Sequence, residues 1–242
     1  MAFIFWLIIS FMEEHFKGAR IRDIILGTQD GLVNVLGLVL GVASATNNVL
    51  IVLVAGIAAT FAETISMGAV AYTSTKAEKS YYQSEHDREE REVIEVPETE
   101  KKEIKDIYYK KGFRGRVLDS IVKKITSNKR VWIDTMMLEE LKLSPVPNIN
   151  PLSSFAVVFI ATLIGSLVPL APFFLFSTGT AMAYTIIVSI TTLFLLGVLK
   201  AKMTIGNWVT SGLESAVIGM AAAIISYFIG FYIGQMTGIS AI

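Results

Sequence analysis

No cysteine occurs anywhere in the 242 residues. That absence excludes a disulfide framework and any thiolate metal site, and it leaves the redox compartment open. Histidine is almost missing too: His15 and His86 stand alone, and the chain holds no Glu-x-x-His pair of the kind that di-iron helical bundles use. Neither sign of charge is in excess, with 21 basic against 21 acidic residues, which removes the electrostatic footprint expected of a nucleic-acid partner. Over long runs charge disappears altogether: residues 143–199 and 215–242 contain no Lys, Arg, Asp or Glu. A soluble domain of this size has no need of such runs. With 53% apolar residues, the composition reads as an all-α, polytopic protein of the lipid bilayer with a polar insert, not as a globular enzyme.

Two apolar stretches, 22–46 and 49–75, form the opening hairpin, each long enough to cross about 30 Å of hydrocarbon as a helix. Asn47-Asn48 makes the turn between them. Further spans are expected at 153–176, 181–199 and 213–236, with Ser177 to Thr180 turning the chain between the third and fourth. Ahead of the hairpin lies a segment at 1–21. Its apolar residues 1–12 reach only about 18 Å, too little to span, and read as an interfacial or packed helix. Gly37-x-x-x-Gly41 and Gly230-x-x-x-Gly234 have the spacing that lets helix backbones approach closely.

The insert at 76–142 reads as short helices. The second span continues into it until Pro97, whose ring and missing N–H end a helix. A helix over 97–111 follows and stops at Gly112. Val117, Leu118, Ile121, Val122 and Ile125 then form one stripe of an amphipathic helix over 115–127, and a last helix runs over 129–143. Prolines 145, 147 and 151 enforce an extended connector back to the apolar spans, 143–242. The basic residues sit at the amino end, in the insert and at 200–202. By the positive-inside rule these regions are cytoplasmic, and after five spans the C-terminus lies on the far side.

Charge inside the hairpin is the strongest functional signal. Between Asp23 and Lys76 only Asp30 and Glu63 are charged, and carboxylates at such depth usually mark an ion or proton pathway. The plainer alternatives are a buried Asp30 that hydrogen-bonds a neighbouring helix through Asn34 on the same face, and a Glu63 satisfied by Thr60, Thr64 or Ser66. Met67 lies one helical turn from Glu63, and a soft sulfur beside hard oxygens points to a transition metal. Glu214 is read structurally, as the closing residue of a Ser211-x-x-Glu214 capping box that opens the fifth span. In the insert, Glu85, Glu89 and Glu92 share a face, Glu100 and Glu103 share another, and Met136 and Glu140 stand four apart beside Met137. On spacing alone these acids fit a divalent first-row metal site and a solvated charged face equally, since Arg88, Arg91, Lys101, Lys102 and Lys105 are interleaved with them.

The run from Arg22-Asp23-Ile24-Ile25-Leu26-Gly27 through Asp30-Gly31-Leu32 resembles the first helix of the vacuolar iron transporter family. Ile65-Ser66-Met67-Gly68, followed by Tyr72, Lys76 and Glu78, resembles its second, and Gly212-Leu213-Glu214 extends the likeness to the last span. The resemblance covers the chain from about His15 onward. It implies a homodimer of five-span subunits that exports Fe(II) from the cytosol in exchange for protons, in a vacuolar membrane or a prokaryotic plasma membrane. The metal is cargo, Mn(II) and other divalent ions being acceptable to such a site, and no prosthetic group is implied. It further implies that Glu89, Glu92, Glu100, Glu103, Met136, Met137 and Glu140 gather metal in the cytoplasmic insert, and that Asp30 and Met67 carry it through the membrane. The family pattern puts a second-span glutamate at the position of Ala59; here the acid is Glu63, one turn later on the same side. Two other readings stay open at this point: a membrane-anchored ferritin-like module that oxidises or stores iron, and a scaffold whose acids only pack a dimer.

Overall fold

The structure is a computed structural model that describes residues 19–144, 150–203 and 206–238. The expected helix over 1–12 and most of the proline connector therefore lie outside the described residues. Among these, five helices are long and apolar enough to cross a membrane. In chain order the elements are α1 (Ala19–Thr46), α2 (Val49–Glu95), α3 (Pro97–Lys110), α4 (Gly115–Thr126), α5 (Lys129–Glu139), α6 (Pro151–Leu170) with a 3-10 turn at Ala171–Phe174, α7 (Thr178–Met203) and α8 (Trp208–Thr237). They divide into two compact units: the residues up to Tyr72 together with those from Pro151 onward, and Thr73–Asn150.

In the first unit α1 is the central helix. Leu32, Val35, Leu36, Val39 and Leu40 are at most 1% exposed. Half of the apolar window of α1 is buried, against 22% for α2 and α8. Glycines bring α8 close against it. A side chain at Gly37 would come 2.8 Å from Ser226 Oγ of α8, and one at Gly234 would come 2.7 Å from Ala45 O of α1. The two Gly-x-x-x-Gly pairs thus pack against the same partner helices, α1 on α8, and small residues let the backbones meet. Val35, Val39, Ala43 and Val52 then join Leu170, Phe173 and Ala181 in the main core.

The hairpin turn forms as its two asparagines require. Asn47 takes φ 46°, in the left-handed region asparagine tolerates, and Asn48 Oδ1 caps α2 by accepting from Leu50 N at 2.9 Å and Ile51 N at 3.3 Å. Two helix starts differ from expectation. The fourth span begins at Thr178, so Thr178 to Thr180 belong to its first turn and do not precede it. The fifth begins at Trp208, because Asn207 accepts from Val209 N and Thr210 N and caps it there. Ser211 is consequently interior, and Glu214 opens no helix; its Oε2 stands 4.0 Å from Lys200 Nζ.

The second unit closes its own core of Val93, Ile104, Ile125, Trp132, Ile133, Met136 and Met137. α2 ends at Glu95, and Pro97 opens α3 in the first-turn position where a missing N–H costs nothing. Gly112 at φ 101° follows the end of α3, and Asn128 caps α5 by accepting from Val131 N at 3.2 Å. Leu118 and Ile125 of α4 are buried, while Val117 is 59% exposed. The inward stripe is therefore Leu118, Ile121, Val122 and Ile125. Val117, one residue before Leu118, is rotated about 100° off that face.

Candidate metal sites

In the first unit the hairpin brings its two acids together. Asn34, one turn after Asp30 on α1, donates from Nδ2 to Glu63 Oε1 of α2, and the Asp30 carboxylate neighbours the same glutamate. Asp30, Glu63 and Met67 are all half-buried. The bond that Glu63 makes therefore runs across the hairpin to Asn34, and neither Thr60 nor Thr64, whose hydroxyls have no partner, satisfies it. Asn34, the residue through which the plainer reading has Asp30 reach a neighbouring helix, bonds across to Glu63 of α2. The cross-hairpin role of Asn34 follows from three-dimensional pairing, and its only signal in sequence was the four-residue spacing from Asp30.

In the second unit Glu89 from the end of α2, Glu100 from α3 and Glu140 at the C-cap of α5 each offer a carboxylate oxygen within 4.8 Å of the others. The local reasons are visible in each element. Glu89 lies one turn before Val93, Glu100 one turn before Ile104, and Glu140 one turn after Met136, so each acid sits beside a buried apolar residue on its own helix. Glu89 and Glu100 are 1% and 3% exposed, and one oxygen of each has no hydrogen-bond partner. Burial, followed by the charges of Glu103, Glu89, Glu92 and Glu140, pushes the Glu100 carboxyl up to about 7. Glu140, more open to solvent, is likewise pushed up to about 7 by desolvation and by Glu103 and Glu89. Glu89 is raised chiefly by burial, although Arg88 acts against the shift.

Glu92 and Glu103 thus belong to the cluster electrostatically, and Glu92 Oε2 lies 3.6 Å from Arg88 Nε. Met136 and Met137, at 0% and 1% exposure, are packed in the core of this unit. Arg88 was read in the sequence only as part of an interleaved charged face. It is 2.8 Å from Glu85 and 3.4 Å from Glu89 as well, and so serves as the counter-charge of the cluster. A second grouping, His86, Asp87 and Glu90, is committed elsewhere: Lys129 Nζ holds Glu90 at 2.7 Å and Gln83 holds Asp87 at 2.7 Å.

Chemically, the two arrangements offer hard oxygen donors with thioether sulfur near by, a set suited to divalent first-row metals. Both occur where the described residues are all helical and five of the helices are long and apolar enough to cross a membrane, which defines the class: an integral membrane protein that handles ions. Residues 21–231 match the model of the VIT family, and the chain belongs to that family, whose relatives carry transporter names; it is not an enzyme. Among those relatives, vacuolar iron transporter 1 of Tulipa gesneriana is 35% identical over 217 residues, covering 89% of this chain and 88% of its own length. Vacuolar iron transporter 1 of Arabidopsis thaliana is 34% identical over 213 residues (87% and 85%), and the vacuolar iron transporter of Plasmodium falciparum is 30% identical over 222 residues (87% and 81%).

Proposed function

We propose that the chain exports Fe(II), together with Mn(II) and other divalent first-row ions, from the cytosol in exchange for protons, acting as a homodimer. The single observation that carries this reading is the meeting of Asp30 and Glu63 across the hairpin of two otherwise charge-free helices. The names of the relatives support iron as the cargo. In this reading the unit between α2 and α6 is cytoplasmic, as is the amino end, and the C-terminus lies across the membrane, in the plasma membrane of a prokaryote or the vacuolar membrane of a eukaryote. Glu89, Glu92, Glu100, Glu103 and Glu140, with Met136 and Met137, concentrate the ion. Asp30, Glu63 and Met67 then pass it, and the exposed apolar face of α2, including Val54, Phe61 and Ile65, meets the second subunit.

Exchange follows from competition for the same oxygens. A divalent ion and two protons neutralise a carboxylate pair equally well, so a proton arriving from the far side releases metal, and its loss to the cytosol lets metal rebind. The test is transport by the purified protein in proteoliposomes, with and without a pH gradient, across a series of divalent metals. Fe(II) uptake stimulated by the gradient and abolished in Asp30→Ala is expected; undiminished pH-driven uptake by Asp30→Ala would overturn the reading.

A further inference from the structure

Besides the acid cluster, the second unit holds a cavity of about 550 Å³ between α3 and α4. Its wall on α4 consists of two strips side by side, each with four-residue spacing. One strip is polar, Arg116, Ser120 and Lys124; the other is apolar, Val117, Ile121 and Ile125. Tyr108 of α3 closes the remaining side. Ile125 is 8% exposed and belongs to the core of the unit, whereas Val117 is 59% exposed, so the apolar strip runs from core to solvent.

Charge around this cavity is of one sign. From Lys110 to Arg130 the sequence has eight basic residues and one acid, Asp119, which lies 3.1 Å from Lys105. Lys111, Lys129 and Arg130 are matched by Glu139, Glu90 and Asp134, and Arg114 donates to the carbonyls of Tyr109 and Phe113. Arg116 and Lys124 have no acid partner among the described residues. Ser120 lies between them and donates to Arg116 O at 2.8 Å, a local bond that a hydroxyl can exchange for a ligand oxygen. A metal ion is repelled by such a rim, and an anion is drawn to it.

Size and charge narrow the occupant. Stable protein interfaces take roughly 20 to 30 residues a side, and seven line this cavity. A helix that lies in a lipid leaflet shows a row of bulky apolar side chains; on α4 Val117 is the one large apolar side chain more than half exposed, and Leu118 is 3% exposed. Cavities of this volume take small molecules, with an apolar body on apolar walls and a few polar groups to fix it. Arg116 and Lys124 stand about 12 Å apart along the helix, which calls for more than one negative charge. Phosphate esters carry that charge and are held well by Arg and Lys together. We propose that the cavity binds a soluble organic phosphate, its flat apolar body between Tyr108 and the strip of Val117 and Ile121, its phosphate oxygens on Arg116 and Lys124. The site lies outside the transport reading and does not depend on it.

The test uses the full chain in nanodiscs of neutral lipid. EDTA is present, because Glu100 stands two turns from Tyr108 on α3 and a metal would bridge phosphate to the acid cluster. The probes are ATP, adenosine, inorganic tripolyphosphate and dihexanoyl phosphatidic acid, read by displacement of labelled ATP. ATP is expected to bind at least about tenfold more tightly than adenosine or tripolyphosphate, since each of these lacks one half of the ligand. Arg116→Gln with Lys124→Gln should weaken ATP binding by about tenfold, whereas Lys110→Gln with Lys123→Gln, an equal loss of charge outside the cavity, should cost less than about threefold. Tyr108→Leu should weaken ATP by about fivefold and leave tripolyphosphate unchanged. An unchanged Tm shows that the variants fold. Absence of ATP binding overturns the proposal, and so does equal weakening by the two charge pairs, which would mean diffuse attraction to a basic surface. Tighter binding of the phosphatidic acid than of ATP overturns it in favour of a lipid headgroup. A change of particle mass in the Arg116 and Lys124 variant overturns it in favour of a contact between copies of the chain.

Discussion

The two sets of carboxylates in this chain are built on opposite plans. In the membrane-crossing helices, Asp30 and Glu63 stand in a stretch of 52 residues that holds no other charge, and an amide, Asn34, is the hydrogen-bond partner of Glu63. In the second unit, Glu89, Glu92, Glu100, Glu103 and Glu140 form one cluster with Arg88 as a counter-charge, and burial and mutual repulsion leave Glu100 and Glu140 about half-protonated at pH 7. A pair of acids with no cation between them has its charge completed by the cargo. A larger cluster carrying its own counter-ion can store protons and give them up gradually. The first arrangement suits a transit point and the second a collecting point.

The largest effect expected from that contrast is a split in transport kinetics. Asp30→Asn, which keeps the shape and removes the charge, is expected to lower Fe(II) flux at saturating metal by at least about 100-fold, because α1 holds no other acid after Asp23 that could replace it. Glu100→Gln combined with Glu140→Gln is expected to raise the half-saturating metal concentration by about tenfold and leave the maximal flux in place. Initial-rate measurements over a metal series decide it. If the insert variant lost maximal flux and the Asp30 variant only affinity, the roles of the two regions would be reversed.

How far these sites can be read from the amino-acid order depends on the range of the forces that build them. Five spans, the Asn47-Asn48 turn and the break at Pro97 are local: they rest on apolar run length, asparagine's tolerance of positive φ and proline's missing N–H. The fifth helix starts earlier than its pattern predicts because Ser211 and Glu214 imitate a cap, whereas the cap itself, Asn207, sits in a segment with no periodic pattern to mark it. Apolar character and spacing put Val117 on the stripe, but the core closes over its neighbours instead. The Asn34–Glu63 bond and the choice of Glu89, Glu100 and Glu140 as the nearest three acids are tertiary. Spacing along a helix names the acids that can share a face, but it is silent on which faces meet.

A second, intermediate effect concerns pH and stability in the absence of metal. Folding raises Glu100 and Glu140 from the ordinary carboxylate range to about 7, so between those values the folded state binds more protons than the unfolded one. Stability of the second unit is then greatest at low pH, falls as pH rises from about 4.5 toward 7, and levels off above. Hydrogen exchange of the full chain in detergent, with chelator present, should show lower protection of the α3 amides at pH 8 than at pH 5.5 after correction for intrinsic rates. Adding Mn(II) at pH 8 should restore protection, because the cation binds the ionised folded cluster and not the unfolded chain. Protection that rises with pH in the metal-free protein would mean that these acids are not held neutral by burial.

The smallest effect, and the finest test of the contrast, is the removal of the counter-charge itself. Arg88 is 41% exposed, so its pairing with Glu85, Glu89 and Glu92 is screened by solvent and each pair contributes little alone. Its influence on metal nevertheless has two opposed parts. It lowers the proton affinity of Glu89 and Glu140, which keeps them available to metal at acid pH, and it repels a divalent ion at any pH. Arg88→Gln removes both. At pH 6 protons compete more strongly with metal for the cluster, and Mn(II) affinity is expected to fall by a factor of about 3; at pH 8, where the acids are ionised regardless, the lost repulsion leaves affinity the same or higher by a similar factor. Titrations of the full chain at the two pH values should therefore give affinity curves that cross. If Arg88→Gln weakened binding equally at both, the arginine would be acting by placing α2 against α3, and the proton-storing character of the cluster would have to come from burial alone.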